Sequence, residues 1–386
     1  MNKLYILLLF FTTLTLSCEK KSVKVAVTNE SDTEIGVRLI ELPAKDILDE
    51  INSSSFYITN EKGEEIPYQL TYDSLIIFPV DVPVGMTYVY KIHPSDTLRN
   101  YTPAVFGDFY PKRRDDISYE NELVGFRIYG PGTQQAGEKA FGYDLFFKYP
   151  TQELIVPQLY AAQTDERNWV TVDSIRKFDP AQAEDFINSF TYHIDHGKGM
   201  DCYAVGPTLG AGVAALLRND TILYPWCYNG AKILDNGPLR FSLALDFNYP
   251  DSILTEHRII TLDSQNHLNS TKVWYEGIET PSTIVAGFPL RDKSAPIIDF
   301  DNKILAYSDP TQGENNGRAL LGLRIMNDVD SVLEKENHIL LSSTINPRDT
   351  FYYNWGFAWD KTDIKNMDQW KSYLDLTIPE YTVRVY

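Results

Sequence analysis

Two of the chain's six histidines fall in one short run, Thr191-Tyr192-His193-Ile194-Asp195-His196-Gly197-Lys198-Gly199-Met200-Asp201. Imidazole titrates close to neutral pH, and a carboxylate beside it orients the ring and raises its basicity, which is what a general base requires. If the run enters as a strand, His193 and Asp195 share one face, Tyr192 and Ile194 the other, and His196 opens a glycine-rich turn. His193, Asp195 and His196 also have the donor types of a metal site. A hydrogen-bonded structural cluster at a strand end is the third reading of the same residues.

A second cluster is Lys112-Arg113-Arg114-Asp115-Asp116, with Glu120 and Asn121 just before a strand that begins near Leu123. The planar fork of arginine binds carboxylates and sulfates at two points, so Arg113 and Arg114 are candidates for an anion clamp. The alternative is a solvated loop neutralised by its own Asp115 and Asp116. A third run, Tyr352-Tyr353-Asn354-Trp355-Gly356-Phe357-Ala358-Trp359, holds two of the six tryptophans. Tyr353, Trp355 and Trp359 offer flat apolar faces that suit sugar rings, or else form a core strand. Arg318, after Asn316-Gly317, is a weaker candidate for a second anion contact. His93, His257, His267 and His338 lack partners nearby in sequence and are expected to be structural or exposed. The usual phosphate-binding glycine loops, the nucleophile elbow and paired-cysteine metal motifs do not occur, so no cofactor is expected.

Strands must position these groups, because alternation with period two dominates the sequence. Val23, Val25 and Val27 show it, as do Val124, Phe126 and Ile128, and Phe241, Leu243, Leu245 and Phe247. Asn229-Gly230, Asn236-Gly237 and Asn316-Gly317 mark turns. Few helices are expected: a short one through about Asn188, capped by Asp179 with Pro180 in its first turn, and one capped by Thr362 with Ile364, Met367, Trp370 and Leu374 on one face. The whole reads as all-β, with a small N-terminal β-domain at 23–100 and a larger one at 101–386.

The first 17 residues hold one charge, Lys3, then an apolar run from Leu4 to Phe11 and a Thr/Leu stretch ending before Cys18. That order reads as a secretory signal peptide, with Leu16-Ser17-Cys18 resembling a bacterial lipobox. Cys18 is therefore the expected lipid anchor, followed by a linker at 18–22, with the protein held at a bacterial membrane, the outer one being favoured. Cys202 and Cys227 are expected to be buried free thiols. The net charge of −18 argues against a nucleic-acid partner, whereas a local cluster of Arg and Lys can still reverse the field inside one cleft.

Three stretches together resemble a family of Bacteroidetes lipoproteins known as a domain of unknown function. They are Pro111 to Asp116 with Glu120-Asn121 and Phe126-Arg127-Ile128-Tyr129-Gly130-Pro131; the His193 to Gly210 segment; and Asn236-Gly237-Pro238-Leu239-Arg240. The likeness implies a galactose-mutarotase-like β-supersandwich. One member is similar to an oligosaccharide dehydratase of ulvan breakdown, which removes water from a non-reducing-end uronic acid to leave a 4,5-unsaturated sugar. The implied substrate is an acidic oligosaccharide ending in glucuronate or iduronate. Such chemistry needs a clamp to stabilise the enolate-like transition state, a base for the C5 proton and an acid for the departing 4-hydroxyl. For that chemistry the sequence offers His193 or His196 as the base, Asp195 to orient it, and Arg113 or Arg114 to bind the carboxylate. The acid falls to Lys198, Tyr203 or the partner histidine. These roles require the basic loop and the His193 segment to meet in space. A glycan-binding lipoprotein, or an epimerase or metal-dependent hydrolase using the same His-Asp-His group, are the other classes open to the sequence.

Overall fold

The computed structural model describes residues 21–249, 253–376 and 381–386. The signal segment and Cys18 lie outside them. The fold is all-β, with every sheet built of antiparallel neighbours and a few short helices at the margins. Its largest element is an eight-stranded sheet, in the order Gly230–Asn236, Arg240–Asn248, Thr255–Asp263, Leu268–Glu276, Thr350–Trp359, Arg318–Ile325, Ile304–Pro310 and Ile297–Asp299. Strict alternation explains why it is a sheet face: Leu243, Ile260, Val273, Phe351, Trp355 and Leu321 all turn to one side.

That side packs against two five-stranded sheets. One runs Gly199–Met200, Asp144–Lys148, Gly125–Ile128, Asp116–Glu120, Phe106–Tyr110. The other runs Thr221–Leu223, Ala214–Arg218, Ser282–Pro289, His338–Ile345, Ser331–Lys335. Phe126, Phe147, Leu216, Ile284 and Phe288 fill the space between, which makes a β-sandwich with one contiguous apolar core. The strand Gly125–Ile128 departs from the half-buried pattern its alternation suggests, because all four of its residues are buried. Its outer face is covered by the 155–192 segment, where Phe146, Val156, Tyr160 and Tyr192 form a satellite cluster.

A separate core belongs to the N-terminal unit, where Val23, Val25 and Val27 pack with Ile58, Phe78 and Ile92. Its main sheet is completed by the last strand of the chain, Tyr381–Val385, which pairs with Val23–Asn29. A division at residue 100 therefore leaves this returning strand on the wrong side.

Helices occur where caps were expected, and elsewhere too. Asp179 caps Pro180–Asn188 through the amides of Ala181 and Gln182. The last helix, Met367–Asp375, is capped by Asn366 instead of Thr362, whose hydroxyl is bound to the carbonyl of Trp359. Trp370 and Leu374 bury its apolar side on the outer face of the large sheet. Val156–Gln163 and Glu166–Arg176 carry too little apolar periodicity to be legible as helices. Among the described residues no helix is long and apolar enough to cross a membrane.

Candidate active site

The basic loop joins Phe106–Tyr110 to Asp116–Glu120 through one turn of 3-10 helix at Pro111–Arg113, followed by left-handed Arg114 and Asp115 (φ 57° and 61°). Two successive non-glycine residues in that region cost on the order of 1–3 kcal/mol each, so the surroundings must fix them. They do: Tyr228 donates its hydroxyl proton to the Asp115 carbonyl at 2.6 Å. The Gly130-Pro131-Gly132 corner also lies flush against the loop. A Cβ at Gly130 would stand 2.0 Å from the Asp115 carbonyl oxygen, which explains glycine there. Lys112, Arg113 and Arg114 are thereby held at one place on the surface.

The Thr191–Asp201 segment is not the strand its spacing suggested. Only Gly199–Met200 are extended, and the residues before them form a turn. At its base the Asp201 amide donates to the Tyr192 carbonyl at 2.8 Å, and His193 Nδ1 lies 3.0 Å from the Asp201 carbonyl oxygen. A carbonyl only accepts, so Nδ1 carries the proton and Nε2 keeps the free lone pair.

These two segments converge. Lys112, Arg113, Arg114, Tyr192 and His193 line one cleft of about 470 Å³. Its remaining wall comes from the helical segment, including Trp169, and from Glu138. Arg113 Nε donates to the Tyr192 hydroxyl at 2.8 Å, which leaves its two terminal nitrogens with no hydrogen-bond partner among the described residues. Arg114 is paired with Glu138.

Beneath the floor lies Arg127, fully enclosed and surrounded by carboxylates. It is bonded to Asp144, stands 3.0 Å from Asp201 and 4.0 Å from Asp116, and donates to the Tyr192 hydroxyl at 3.3 Å. One cation cannot neutralise three buried carboxylates, and burial raises the pKa of both Asp116 and Asp201 against the pull of Arg127. His193 stands above this network. Loss of water around its inner edge lowers its pKa, and the positive charges of Arg127 and Arg113 push the same way, against its hydrogen bond to the Asp201 carbonyl. The ring is therefore neutral at neutral pH, with Nε2 able to accept a proton, while its side chain remains 53% exposed.

Other sequence candidates lie elsewhere. Asp195 does not orient a histidine: it accepts from the amides of Gly197 and Gly199 and from the Tyr149 hydroxyl, stapling the turn. The His193 ring is held instead by the backbone carbonyl of Asp201, whose carboxylate stands 3.7 Å from Nδ1. His196 turns its Nε2 to the Thr191 carbonyl at 3.1 Å, so His193, Asp195 and His196 point apart and do not form a metal-ligand set. Lys198 pairs with Glu153 on the outside of the turn. Tyr203 is buried, bonded to Asp309 and Arg291. Arg318 is occupied by Asp292, Ser294 and Ser308. Tyr353, Trp355 and Trp359 are 1%, 0% and 2% exposed, which makes them core and not a stacking wall. Trp355 donates to Thr271 and Trp359 to the Asn316 carbonyl, so their polar atoms are also satisfied inside. Cys202 and Cys227 are free and buried.

Residue type and spacing do not single out Tyr192 and Trp169, which line the cleft, or Arg127 and Asp201, which lie beneath it. A signal for two of them exists. Phe126-Arg127-Ile128, Tyr143-Asp144-Leu145 and Met200-Asp201-Cys202 each place one charge inside an apolar run, and charges that must be buried have to find one another.

A family model described as Domain of unknown function (DUF4861) matches residues 27–385. An uncharacterised protein P7 of Formosa agariphila is 25% identical over 291 residues, covering 71% of this chain and 67% of that protein. Among solved structures, an alpha-mannosidase from Enterococcus faecalis V583 superposes with a TM-score of 0.46 at 9% identity, over 95% of this chain and 46% of the mannosidase. A protein in the glycosyl hydrolase family 38 from Enterococcus faecalis gives a TM-score of 0.46 at 8% identity, over 96% of this chain and 48% of its own. This chain thus spans just under half the length of either structure.

Proposed function

The chain belongs to the family described as Domain of unknown function (DUF4861), and from that premise we propose that it is a hydro-lyase acting on acidic oligosaccharides, eliminating water from a non-reducing-end glucuronate or iduronate. One observation carries the proposal: a neutral histidine with a free Nε2 shares a cleft with the chain's run of three cations.

The uronate carboxylate docks on the free terminal nitrogens of Arg113, with Lys112 and Arg114 adding positive field. Withdrawing charge into this clamp acidifies the C5 hydrogen. His193 Nε2 takes that proton, and the C5–H electron pair moves toward the carboxylate as an enolate-like charge, which Arg113 stabilises. The charge then returns to form the C4–C5 double bond as the C4–oxygen bond breaks. The departing hydroxyl takes a proton from Tyr192, whose oxygen already accepts from Arg113 and Arg127 and whose own hydrogen is free to be given. Water leaves, and proton transfer from His193 to Tyr192 resets the site. Trp169 supplies a flat wall for the sugar ring next to the reacting one.

Mass spectrometry of products from saturated ulvan-type oligosaccharides tests this: a species lighter by one water is expected. His193→Gln should lower the rate by about 10²–10⁴-fold with the melting temperature little changed. Folded wild-type protein that leaves glucuronate- and iduronate-ended substrates intact sinks the proposal.

The same reading places the enzyme on a membrane through a lipid on Cys18, at the site where imported glycan fragments arrive. Metabolic labelling with a palmitate analogue should mark the wild-type chain and not Cys18→Ser. Equal labelling of both would remove the anchor from the account.

A further inference from the structure

We propose that the outer face of the eight-stranded sheet carries a second, non-catalytic groove that binds a neutral oligosaccharide segment. The groove is a hollow of about 280 Å³ between that face and the N-terminal unit, and it shares no lining residue with the cationic cleft.

Its floor follows from register. Ser242 pairs with Thr261, Thr261 with Ser270 and Ser270 with Asn354, so four polar side chains form one row across four strands, of which Ser242 is buried and Thr261, Ser270 and Asn354 reach the surface. Residues directly opposite in antiparallel strands point to the same side, and this side is the one away from the core. The next row along places Lys272 beside Tyr352, and the row beyond it places His257 beside Trp274. Successive rows are about 7 Å apart along the strands.

Small polar residues alone are what any solvated sheet face carries. The aromatic rings are different. Tyr352 is 49% exposed and Tyr72 40% exposed, and both line the hollow. Tyr72 is fixed in place: its amide donates to Asp235 at 2.8 Å, its hydroxyl oxygen lies 3.4 Å from Lys272 Nζ, and the neighbouring Gln69 is locked to the backbone of Leu239 and Arg240. The ring is thus held ready without a ligand, which lowers the ordering cost of binding.

Charge chooses the ligand. The ionic groups of the hollow are Glu41, Asp73, Arg240 and Lys272, two of each sign. Arg240 is already committed to Glu41 and Asp263 at 2.6 Å each. With Asp263 and Asp235 beside these groups the field carries no excess of positive charge, and the polar groups and exposed phenol rings suit uncharged, hydroxyl-rich sugar residues, in contrast to the cationic cleft. Length is available as well, because the hollow adjoins another of about 240 Å³ that shares Glu41, Arg240, Ser270 and Asn354 with it.

Isothermal titration calorimetry of the full chain with cellohexaose, xylohexaose and mannohexaose provides the test. At least one should bind, with affinity reduced roughly tenfold or more in Tyr352→Ala and in Tyr72→Ala and unchanged in His193→Gln and Arg113→Ala. Tyr352→Phe, which keeps the ring, should retain binding and guards against a folding artefact. No binding of any of the three by wild type up to about 10 mM, or binding kept in both tyrosine-to-alanine variants and lost in Arg113→Ala, overturns the assignment. The result is independent of whether the elimination proposal holds.

Discussion

A single hydrogen bond decides what His193 can do. With Nδ1 held by the Asp201 carbonyl, the ring's basic atom is Nε2, and the lowered pKa keeps it unprotonated at neutral pH. The sign follows directly. Activity requires the neutral ring, so kcat/KM should rise with pH through a value below the ordinary histidine pKa of about 6.5 and then level off. A pH–rate profile checks this, and an acid limb centred above that value contradicts it. Stability moves in the same sense: the folded state resists protonating His193, so its contribution falls as pH drops below the unfolded pKa toward the lower folded one. Asp195 shows the limit of reading neighbours from spacing. It stands two residues from His193 in the chain, yet the turn aims it at the amides of Gly197 and Gly199, and the backbone carbonyl of the more distant Asp201 holds the ring instead.

At the scale of elements, the cation loop is only as good as the corner that supports it. Gly130→Ala would push a methyl group into the Asp115 carbonyl, and the loop must shift to admit it. We expect a loss of about 1–3 kcal/mol of stability together with a raised KM for uronyl substrates. Thermal melts and steady-state kinetics on the one variant check both, and an unchanged KM in a destabilised protein would show that the loop's position is not set by this corner. The aromatic strand makes the complementary point. Tyr353, Trp355, Phe357 and Trp359 share one parity and Tyr352 and Asn354 the other, so alternation alone separates two faces. Which face is core depends on the sheets stacked above it, and here the tryptophans point inward and Tyr352 outward. The aromatic wall of the cationic cleft is Trp169, from a helix with little apolar periodicity of its own.

Across the whole molecule, the two ends of the described chain meet in the N-terminal sheet. Deleting residues 381–386 would strip the outer strand from Val23–Asn29 and remove Tyr381 and Val383 from the N-terminal core, leaving an open edge. A melting temperature lowered by several degrees and more light scattering on heating are expected, and a superimposable melt would show that the strand adds nothing. The acidic balance is also a property of the whole: a chain of net charge −18 confines Lys112, Arg113 and Arg114 to one cleft, where they oppose the general field. The sequence by itself determined the all-β class, the principal strands, the helix cap at Asp179 and the two segments that carry the candidate chemistry, because alternation, caps and charge runs are local and survive without a fold. Only the tertiary structure decided that the basic loop and His193 share a cleft, that Asp201 and not Asp195 fixes the ring, that Arg127 lies beneath it, and that the tryptophan run is core. Those facts depend on contacts between residues far apart in the chain, formed when the sheets stack and choose which face of each strand turns inward.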